Sequence, residues 1–268
     1  MQNVVYWIGV KNKDPHMNDK HGGFSYLDVS RKTWEWWCQK NNVVFVPYEL
    51  SDYNPEKPGT KVTWQRWFDM KRVISDKGIT PNWIWAVDGS TMIRWDAPAP
   101  WDEKELNPGI IYGHRSLENL YWINEGIQGY KDLFSVVFDL KKYICTGNVI
   151  LNSKNYGFLS DLETFFKDKN KDIMFLENEK IKRGTDQPVF NYFLQDNNIP
   201  FDVVSLNPAY MLTHLNRFNW MSHNWQIGNK DPFFIKYGWL WMFSGFPTRG
   251  DRYELMAKTW ELVKKYYE

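Results

Sequence analysis

Cysteine is scarce in this chain of 268 residues, which contains Cys38 and Cys145 and no others. Two cysteines are too few for a disulfide framework, and neither stands in a metal-ligand spacing. The five histidines also show no recognised zinc spacing. These absences argue against a disulfide-stapled secreted domain and against a zinc site, and they favour a reducing, cytoplasmic location.

A surplus of charge of one sign is also lacking, because 33 basic residues face 32 acidic ones and the net charge is +1. This balance argues against a strongly electrostatic nucleic-acid binder. No segment approaches the roughly 18 consecutive apolar residues that a transmembrane helix needs. Residues 1–10 lack the basic region and long apolar run of a signal peptide. We therefore expect neither a membrane span nor a signal peptide.

Two common nucleotide-binding loops are missing as well. No Gly-x-Gly-x-x-Gly follows the first predicted strand, and no Walker loop occurs anywhere in the chain. Aromatic residues, in contrast, make up 18% of the chain and include 16 Trp. Such rings either fill the core or line a groove, where their flat faces stack on sugars and bases.

Strands and helices alternate in the first third of the chain. Apolar runs predict buried strands at 4–10, 43–48 and 83–87, and helical spacing predicts helices at 26–41 and 63–77. Ser30 is a candidate amino cap of the first helix, and the proline- and glycine-containing stretch 51–59 is a predicted loop. This order implies a parallel sheet with right-handed crossovers.

The second half of the sequence is less regular. It predicts strands at 109–114, at 143–152 with an interruption at Gly147, and at 201–206, and helices at 156–167, 185–197 and 253–267. Residues 216–250 are dense in Trp, Phe, Gly and His without a clear period, which is typical of a functional loop. Because no repeat or linker is visible, we predict one domain over 1–268.

Asp88 ends the most informative stretch of the sequence. The five apolar residues before it have the composition of a strand buried on both faces, and Gly89 and Ser90 then turn the chain into a second extended stretch at 91–95. A carboxylate at the carboxyl end of such a strand lies where open α/β sheets bind ligands. The alternative is a turn residue that bonds Ser90 or Thr91 through its own side chain.

Four segments together resemble the GT-A fold of nucleotide-sugar glycosyltransferases, most closely the glycogenin-like and bacterial sugar-transferase type. They are Trp-Ala-Val-Asp-Gly-Ser-Thr-Met-Ile from Trp85, similar to the strand with Asp-x-Asp; Cys-Thr-Gly-Asn-Val-Ile-Leu-Asn from Cys145, similar to the acceptor-side strand; Gly-Thr-Asp-Gln-Pro-Val-Phe-Asn from Gly184, similar to the Asp-Gln helix start; and Trp-Met-Phe-Ser-Gly-Phe from Trp241, similar to the late His-Phe-x-Gly segment. The resemblance implies an α/β fold with a Rossmann-type, mostly parallel mixed sheet flanked by helices.

The resemblance also implies a metal site, from which this sequence departs. Ser90 stands at the second aspartate of Asp-x-Asp, and Met242 stands at the late histidine. Hydroxyl and thioether groups are poor ligands for Mn²⁺ or Mg²⁺. We therefore expect any such metal to bind weakly, through Asp88 and the phosphates of the donor.

Fixed cations are the alternative partners for a leaving diphosphate. The candidates are Arg249 and Arg252 in the late loop, Lys11 after the first strand, and Arg66 in the second helix. The other predicted donor-binding residues are Gly9, Asp88, Ser90 and Asn148. The alternative for Asn148 is a bulge next to Gly147.

Asp186 and Gln187 are the predicted catalytic pair, because they fall in the Asp-Gln segment of the resemblance, which favours a retaining mechanism. The alternative for Asp186 is a helix amino cap without chemistry. Trp220, His223 and Trp225 of the late loop are predicted acceptor contacts. Their alternative is a structural role in a satellite core.

The resemblance predicts a glycosyltransferase that moves a hexosyl or pentosyl group from a nucleoside diphosphate sugar to a hydroxyl group. The acceptor is a saccharide, a glycoconjugate or a modified nucleic-acid base. The second hypothesis is a non-catalytic nucleotide- or carbohydrate-binding protein on a decayed GT-A fold, since the altered Asp-x-Asp and the missing histidine are what such decay leaves behind.

Overall fold

A computed structural model describes residues 1–10, 24–49, 60–115, 120–181, 186–213, 226–227, 231–244 and 249–268. The strands are β1 Gln2–Ile8, β2 Val44–Tyr48, β3 Pro81–Asp88, β4 Thr91–Ile93, β5 Ile111–Arg115, β6 Ile144–Asn152, β7 Phe201–Asp202, β8 Leu212–Thr213, β9 Gln226–Ile227, β10 Asp231–Pro232 and β11 Leu240–Met242. The helices are α1 Tyr26–Lys40, α2 Val62–Asp76, α3 Pro100–Glu103, α4 Leu120–Tyr130, α5 Tyr156–Phe175, α6 Gln187–Asp196, α7 Phe233–Tyr237 and α8 Arg249–Val263, and a π-helix spans Leu176–Ile181.

Six strands form the main sheet, in the order β2-β1-β3-β6-β5-β7. Strand β1 runs parallel to β2, from Val4 opposite Val44 to Ile8 opposite Tyr48. Strand β5 is antiparallel to β6 and parallel to β7. All nine residues of β6 are buried, as expected for a central strand with both faces covered. The predicted α/β class with a mixed, mostly parallel sheet is confirmed.

Smaller sheets involve the later strands. Strand β11 pairs with β4 in antiparallel fashion and with β8 in parallel fashion, and β9 pairs with β10. None of the helices that the structure describes combines the length and the apolar composition needed to cross a membrane.

The chain divides into two compact units. The first unit comprises Met1–Gln2, Ser51–Trp85 and Leu106–Ser205, and the second comprises Asn3–Leu50, Ala86–Glu105 and Leu206–Glu268. In the first unit, rings of α2 pack on rings of α5 and α6, with Trp64 4.6 Å from Phe166 and Trp67 5.0 Å from Phe190. Burial of such large rings contributes roughly 1.5–3 kcal/mol each.

Buried tryptophans also form the core of the second unit. The indole N–H of Trp34 donates to Thr91 Oγ1 at 3.0 Å, and that of Trp37 donates to the Ala97 carbonyl at 2.8 Å. Trp241 donates to the Phe234 carbonyl at 2.9 Å. Each ring therefore contributes apolar area while its polar atom is satisfied. Trp241, which lies in the late aromatic segment, is thus a core residue.

The structure corrects several boundaries. Ser30 is not an amino cap, because α1 begins at Tyr26 and the buried Ser30 hydroxyl accepts from the Trp7 indole at 2.9 Å. Strand β7 ends at Asp202 instead of 206, because the Asp202 carboxylate accepts from the amides of Val204 and Ser205 and turns the chain. Helix α5 extends beyond 167 to Phe175, and β4 stops at Ile93 instead of 95.

Two further features differ from the prediction. Gly147 does not interrupt β6, although the β5–β6 register shifts between Gly113 and Arg115. No element is predicted from sequence between 114 and 143, where α4 lies. The predicted loop at 51–59 falls outside the described residues.

Candidate functional site

The turn after Asp88 is packed tightly in the second unit. The amide of Gly89 donates to the Ile8 carbonyl at 2.8 Å. A Cβ atom at Gly89 would lie 2.4 Å from Leu27 Cδ2 and 3.0 Å from the Ile8 oxygen. Only glycine fits this close approach. The turn is therefore fixed against the end of β1 and the beginning of α1.

Gly9 lies beside this turn, as the sequence predicts. Its Cα atom is 3.1 Å from the position that a Cβ of Gly89 would take. Gly9 itself has no room for a side chain, because an added Cβ would lie 1.9 Å from the Trp7 ring. The ends of β1 and β3 thus bring two bare backbone segments together beside the half-buried Asp88. Trp7 and Leu27 fill the space beside the two glycines, so the glycines serve the close packing of this turn.

Thr91 closes the Asp88 turn through its hydroxyl, which donates to the Asp88 backbone carbonyl at 2.5 Å. The same hydroxyl accepts from the Trp34 indole. The geometry of this turn is therefore determined from the buried side of α1. These backbone contacts are compatible with a ligand-binding role and with a purely local role for the Asp88 carboxylate.

The late segment lies directly beside the turn. Met242 pairs with Thr91 across the β4–β11 ladder, and the amide of Phe243 donates to the Ser90 carbonyl at 2.7 Å. Ser90 is 7% exposed and Met242 is 1% exposed. Two of the segments that carry the sequence resemblance are thus neighbours in space.

A protein-held metal does not fit these side chains. They offer one carboxylate, one hydroxyl and one thioether, whereas Mg²⁺ and Mn²⁺ require several oxygen or imidazole ligands. Within the described part of the chain, no three His, Cys, Asp or Glu side chains cluster in a metal-binding arrangement. We therefore assign no chemical step to a metal.

Arg252 is a cation beside the start of α1. Its guanidinium lies 4.8 Å from the Tyr26 ring centroid, and its Nε atom is buried without a hydrogen-bond partner among the described residues. Tyr26 precedes Leu27, whose side chain faces Gly89. Arg249 begins α8, but its side chain is not described. Outside the described residues lie Lys11, Trp220, His223 and Trp225.

Asp186 forms a buried ion pair in the first unit. Its Oδ2 atom accepts from Arg66 Nη2 and from the Trp67 indole N–H, both at 2.7 Å. Asp186 and Arg66 are each 4% exposed. Asp186 is the residue before α6, but its side chain makes no capping hydrogen bond. The cap alternative is therefore wrong for the carboxylate, which instead binds two donors of α2.

Gln187 fixes the start of α6 to β6. Its Oε1 atom accepts from the Thr146 amide at 3.0 Å and from the Thr146 hydroxyl at 3.3 Å. One turn later, Asn191 accepts from the Ile144 amide at 2.6 Å and donates to the Ile144 carbonyl at 2.9 Å. Two side-chain amides thus bond the backbone of a buried strand, which fixes the position of the predicted catalytic pair.

Asn148 also has a structural partner. Its Oδ1 atom accepts from the Trp85 indole at 2.6 Å, and the residue is 1% exposed. It lies in the part of β6 where the register to β5 shifts, since Gly113 pairs with Val149 and Arg115 pairs with Ile144. The bulge alternative for Asn148 agrees with this irregularity. A sugar contact by Asn148 stays a prediction.

Glu177 is a second buried carboxylate that sequence reasoning misses. It lies in the π-helix and is 2% exposed. Its Oε1 atom is 2.9 Å from Lys61 Nζ, and its Oε2 atom accepts from the Trp64 indole at 3.4 Å. Glu177 and Asp186 are thus held in the same way, because each carboxylate contacts one cation and one indole. The four partners are Lys61 and three residues of α2, which begins directly after it. We call these two arrangements the α2 clamps.

Tyr130, at the end of α4, is the second missed residue. It is fully buried, and its hydroxyl has no hydrogen-bond partner among the described residues. Burial raises the pKa of the phenol, and the nearby carboxylates of Glu177 and Asp186 raise it further. Tyr130 therefore stays neutral and carries an unsatisfied hydroxyl close to both clamps. The repeat of a cation and a Trp at 61/64 and 66/67 is the signal in the sequence that points to this region.

Comparisons with known proteins agree with this architecture. No protein-family model and no curated protein matches the sequence. A solved glycosyltransferase involved in glycosylation of the major capsid of PBCV-1 matches 96% of this chain and 99% of its own, with a TM-score of 0.54 and 14% identity.

Two other solved structures that match are the galactosyltransferase LgtC in complex with donor and acceptor sugar analogs and mouse xyloside xylosyltransferase 1. The former covers 97% of this chain and 99% of its own, at a TM-score of 0.48 and 13% identity, and the latter covers 92% and 100%, at 0.44 and 10%. We base the fold assignment on the capsid-related enzyme, whose TM-score exceeds 0.5. The chain has the GT-A glycosyltransferase fold.

Proposed function

We propose that this chain is a glycosyltransferase that moves a sugar from a nucleoside diphosphate sugar to a hydroxyl group. The observation that carries the proposal is the buried Arg66–Asp186–Trp67 cluster at the start of α6, on a GT-A fold. A buried ion pair is costly to maintain for stability alone. Its position in the Asp-Gln segment that the sequence singles out supports a role in binding the transferred sugar.

The donor binds, in this proposal, beside the Asp88 turn. Gly9 and Gly89 keep this turn closely packed, and Asp88 is only half-buried beside them. Gly9 and Asp88 are the proposed donor contacts at this turn. Ser90 is a further proposed contact at this turn, and a sugar contact by Asn148 stays a prediction. Arg252, together with Lys11 and Arg249, supplies positive charge to a uridine or guanosine diphosphate, since guanidinium groups bind phosphate through paired hydrogen bonds.

In this proposal Asp186 orients sugar hydroxyl groups by accepting hydrogen bonds from them. Gln187 holds the start of α6 against β6 through its bond with Thr146. The resemblance of the Asp-Gln segment supports a retaining mechanism, and the transferred group is a hexose or a pentose. For the acceptor we propose a saccharide or glycoconjugate hydroxyl, with Trp220, His223 and Trp225 as contacts. No observation on the described residues supports a nucleic-acid acceptor.

A non-catalytic sugar- or nucleotide-binding protein is the second candidate function. The observation that favours it is the pair Ser90 and Met242, because neither side chain is a strong metal ligand beside Asp88. Binding without turnover is its signature. A nucleotide sugar that raises the melting temperature yet is never cleaved supports this candidate, because a ligand that binds only the native state stabilises it.

The test is release of nucleoside diphosphate from a panel of uridine and guanosine diphosphate sugars, with and without saccharide acceptors. We expect one donor to be consumed by the wild type and its turnover to be lost in Asp186→Asn. Asp76→Asn is the matched control, because the Asp76 side chain is 62% exposed and pairs with the exposed Arg72. Equal turnover in all three proteins contradicts a role for Asp186, and no turnover of any donor contradicts the enzyme proposal.

A further inference from the structure

A cleft of about 230 Å³ opens in the second unit. It lies among the end of β4, helix α7 and the end of the last helix. None of the residues singled out from the sequence lines it. Its walls combine fixed aromatic rings with positive charge, and each of these properties follows from specific contacts.

Arg94 forms the base of this cleft. Its guanidinium pairs with Asp96 and donates to the Lys236 carbonyl at 2.7 Å. The side chain is only 13% exposed. These bonds connect the end of β4 to α7, so the two sides of the cleft keep a fixed spacing. Arg94 and Asp96 neutralise each other.

The aromatic wall of the cleft is rigid. Trp95 and Tyr266 stack with ring centroids 3.9 Å apart at 15°. The buried Tyr267 packs edge-on against Trp95 at 6.1 Å, and its hydroxyl donates to the Ile93 carbonyl. Tyr266 remains 42% exposed. An exposed ring held in this way offers an apolar surface with little entropy to lose when a ligand packs on it.

Two lysines line the cleft, and their ammonium groups form no ion pair with a carboxylate among the described residues. They are Lys236 and Lys265, whose Nζ atoms lie 5.5 Å from the Tyr237 ring and 4.9 Å from the Tyr266 ring. With three basic residues and one acidic residue in its lining, the cleft carries two uncompensated positive charges. Such a concentration of one sign attracts anions.

The size and position of the cleft limit its ligand. Drug-sized ligands occupy pockets of about 300–1,000 Å³, so a cleft of about 230 Å³ suits a single sugar ring with a charged substituent. Arg94 follows Asp88 closely in the sequence, and the length of an extended chain bounds their distance at about 20 Å. An acceptor of a few sugar units spans such a distance.

We infer that this cleft binds an acidic sugar, carrying a phosphate or carboxylate group, that belongs to the acceptor glycan. The sugar ring packs on the exposed part of Tyr266, and its phosphate or carboxylate group binds Lys236 and Lys265 through charge-assisted hydrogen bonds. The cleft anchors the acceptor and takes no part in the bond change. The role of this sugar as part of an acceptor rests on the proposed function, but its binding is measurable without catalysis.

The experiment is a titration of the full ¹⁵N-labelled chain with glucose 6-phosphate, followed through tryptophan indole signals. The Trp95 signal is assigned with Trp95→Phe. We expect it to shift at millimolar ligand, and we expect Lys236→Met/Lys265→Met to bind at least about tenfold more weakly because both charge-assisted bonds are lost. Lys258→Met is the matched control, since Lys258 is exposed, pairs with Glu254 and does not line the cleft.

Four results overturn the inference. The first is an unchanged Trp95 signal, and the second is equal affinity in the double lysine variant. The third is binding of inorganic phosphate alone as tightly as glucose 6-phosphate, which reduces the cleft to an anion site. The fourth is lysine-dependent binding to vesicles of anionic phospholipid without any response to the sugar phosphate.

Failure of the proposed function is distinguishable from failure of this inference. If the chain binds glucose 6-phosphate through the two lysines but consumes no nucleotide sugar, the cleft inference stands and the enzyme proposal fails. If the double lysine variant transfers sugar with an unchanged acceptor KM, the enzyme proposal stands and the cleft inference fails. The two measurements are independent, because neither lysine belongs to the proposed donor site.

Discussion

At the scale of single residues, Asp88 and Asp186 differ in the surroundings that the chain supplies. Asp186 is 4% exposed and binds a guanidinium and an indole, whereas Asp88 is half-buried at the end of a strand. A half-buried carboxylate remains accessible to an incoming ligand, and its charge keeps part of its hydration until the ligand binds. The two positions therefore call for different tests.

Asp88→Asn is expected to lower the rate of sugar transfer by at least about 10²-fold, which is the usual cost of removing one electrostatic stabiliser of a transition state. The fold should persist, because the turn is held by Thr91 and by the Gly89 amide. Transfer rate and melting temperature are measured together, with Asp76→Asn as the control. Unchanged turnover reduces Asp88 to a turn residue.

Tyr130→Phe is expected to leave the free energy of unfolding unchanged or to raise it by up to about 1 kcal/mol, because it removes a buried hydroxyl that has no partner among the described residues. Tyr192→Phe is the matched control, since its hydroxyl donates to the Ile127 carbonyl at 2.8 Å. That variant should lose about 1 kcal/mol. Urea unfolding measures both. A larger loss in Tyr130→Phe than in Tyr192→Phe means that the Tyr130 hydroxyl is hydrogen-bonded in solution.

At the scale of elements, α2 and the preceding Lys61 contact both buried carboxylates of the first unit, Asp186 and Glu177. Both α2 clamps hold a buried carboxylate, so removing its cation leaves a buried charge. The Asp186 clamp has two donors at 2.7 Å, whereas Lys61 in the Glu177 clamp is 38% exposed. The Asp186 clamp should therefore be the more sensitive of the two.

Arg66→Met is expected to lower the free energy of unfolding by about 3–5 kcal/mol, the usual cost of an uncompensated buried charge. The double variant Arg66→Met/Asp186→Asn should recover part of this loss, because the charge itself is gone. Arg31→Met is the control: its ion pairs are exposed, and such pairs contribute at most about 1 kcal/mol. If Arg66→Met is as stable as Arg31→Met, the pair is not buried in solution.

The sequence predicts elements well where the pattern is local. The apolar run before Asp88 predicts β3. The need for glycine at 89 is explained by the close approach of Leu27 and Ile8. Helix α4 is missed because Gly126 and Gly129 interrupt its helical signal. Ser30 is mistaken for a cap because its bond to Trp7 depends on a contact 23 residues away.

The candidate site is only half predictable for the same reason. Asp186 and Arg66 are each singled out, but nothing local shows that they pair across 120 residues. Glu177 is missed altogether, since a lone glutamate in a charged stretch has the pattern of a solvated helix face. Its burial follows from the π-helix and from the indole of Trp64, 113 residues away.

At the scale of the whole molecule, the side chains that the fold brings beside Asp88 lead to a prediction on metal dependence. We expect no tight, stoichiometric Mn²⁺ or Mg²⁺ binding without nucleotide, because Asp88 stands beside Ser90 and Met242. Activity should survive brief EDTA treatment or else need a high metal concentration. Calorimetric metal titration and activity after chelation measure this, and tight binding to the free chain contradicts it.

Arg252 should contribute more to binding the donor diphosphate if a metal ion contributes less. We expect Arg252→Ala to lower transfer by about 10-fold or more, since a guanidinium that binds diphosphate contributes at least one charge-assisted pair of hydrogen bonds. Arg249→Ala tests the other candidate. Lys258→Ala, on the same helix, is the control. Full activity in both arginine variants means that phosphate is bound elsewhere.

The long sequence separation of the α2 clamps has a kinetic consequence. The bonds of Asp186 and Glu177 close loops of 113 to 120 residues. Contacts of this kind form only after much of the intervening chain is ordered, because the entropy of loop closure must first be overcome. Interactions that form after the folding transition state act chiefly on the unfolding rate. Changes in the clamps should therefore leave refolding nearly as fast as before and shorten the lifetime of the folded state.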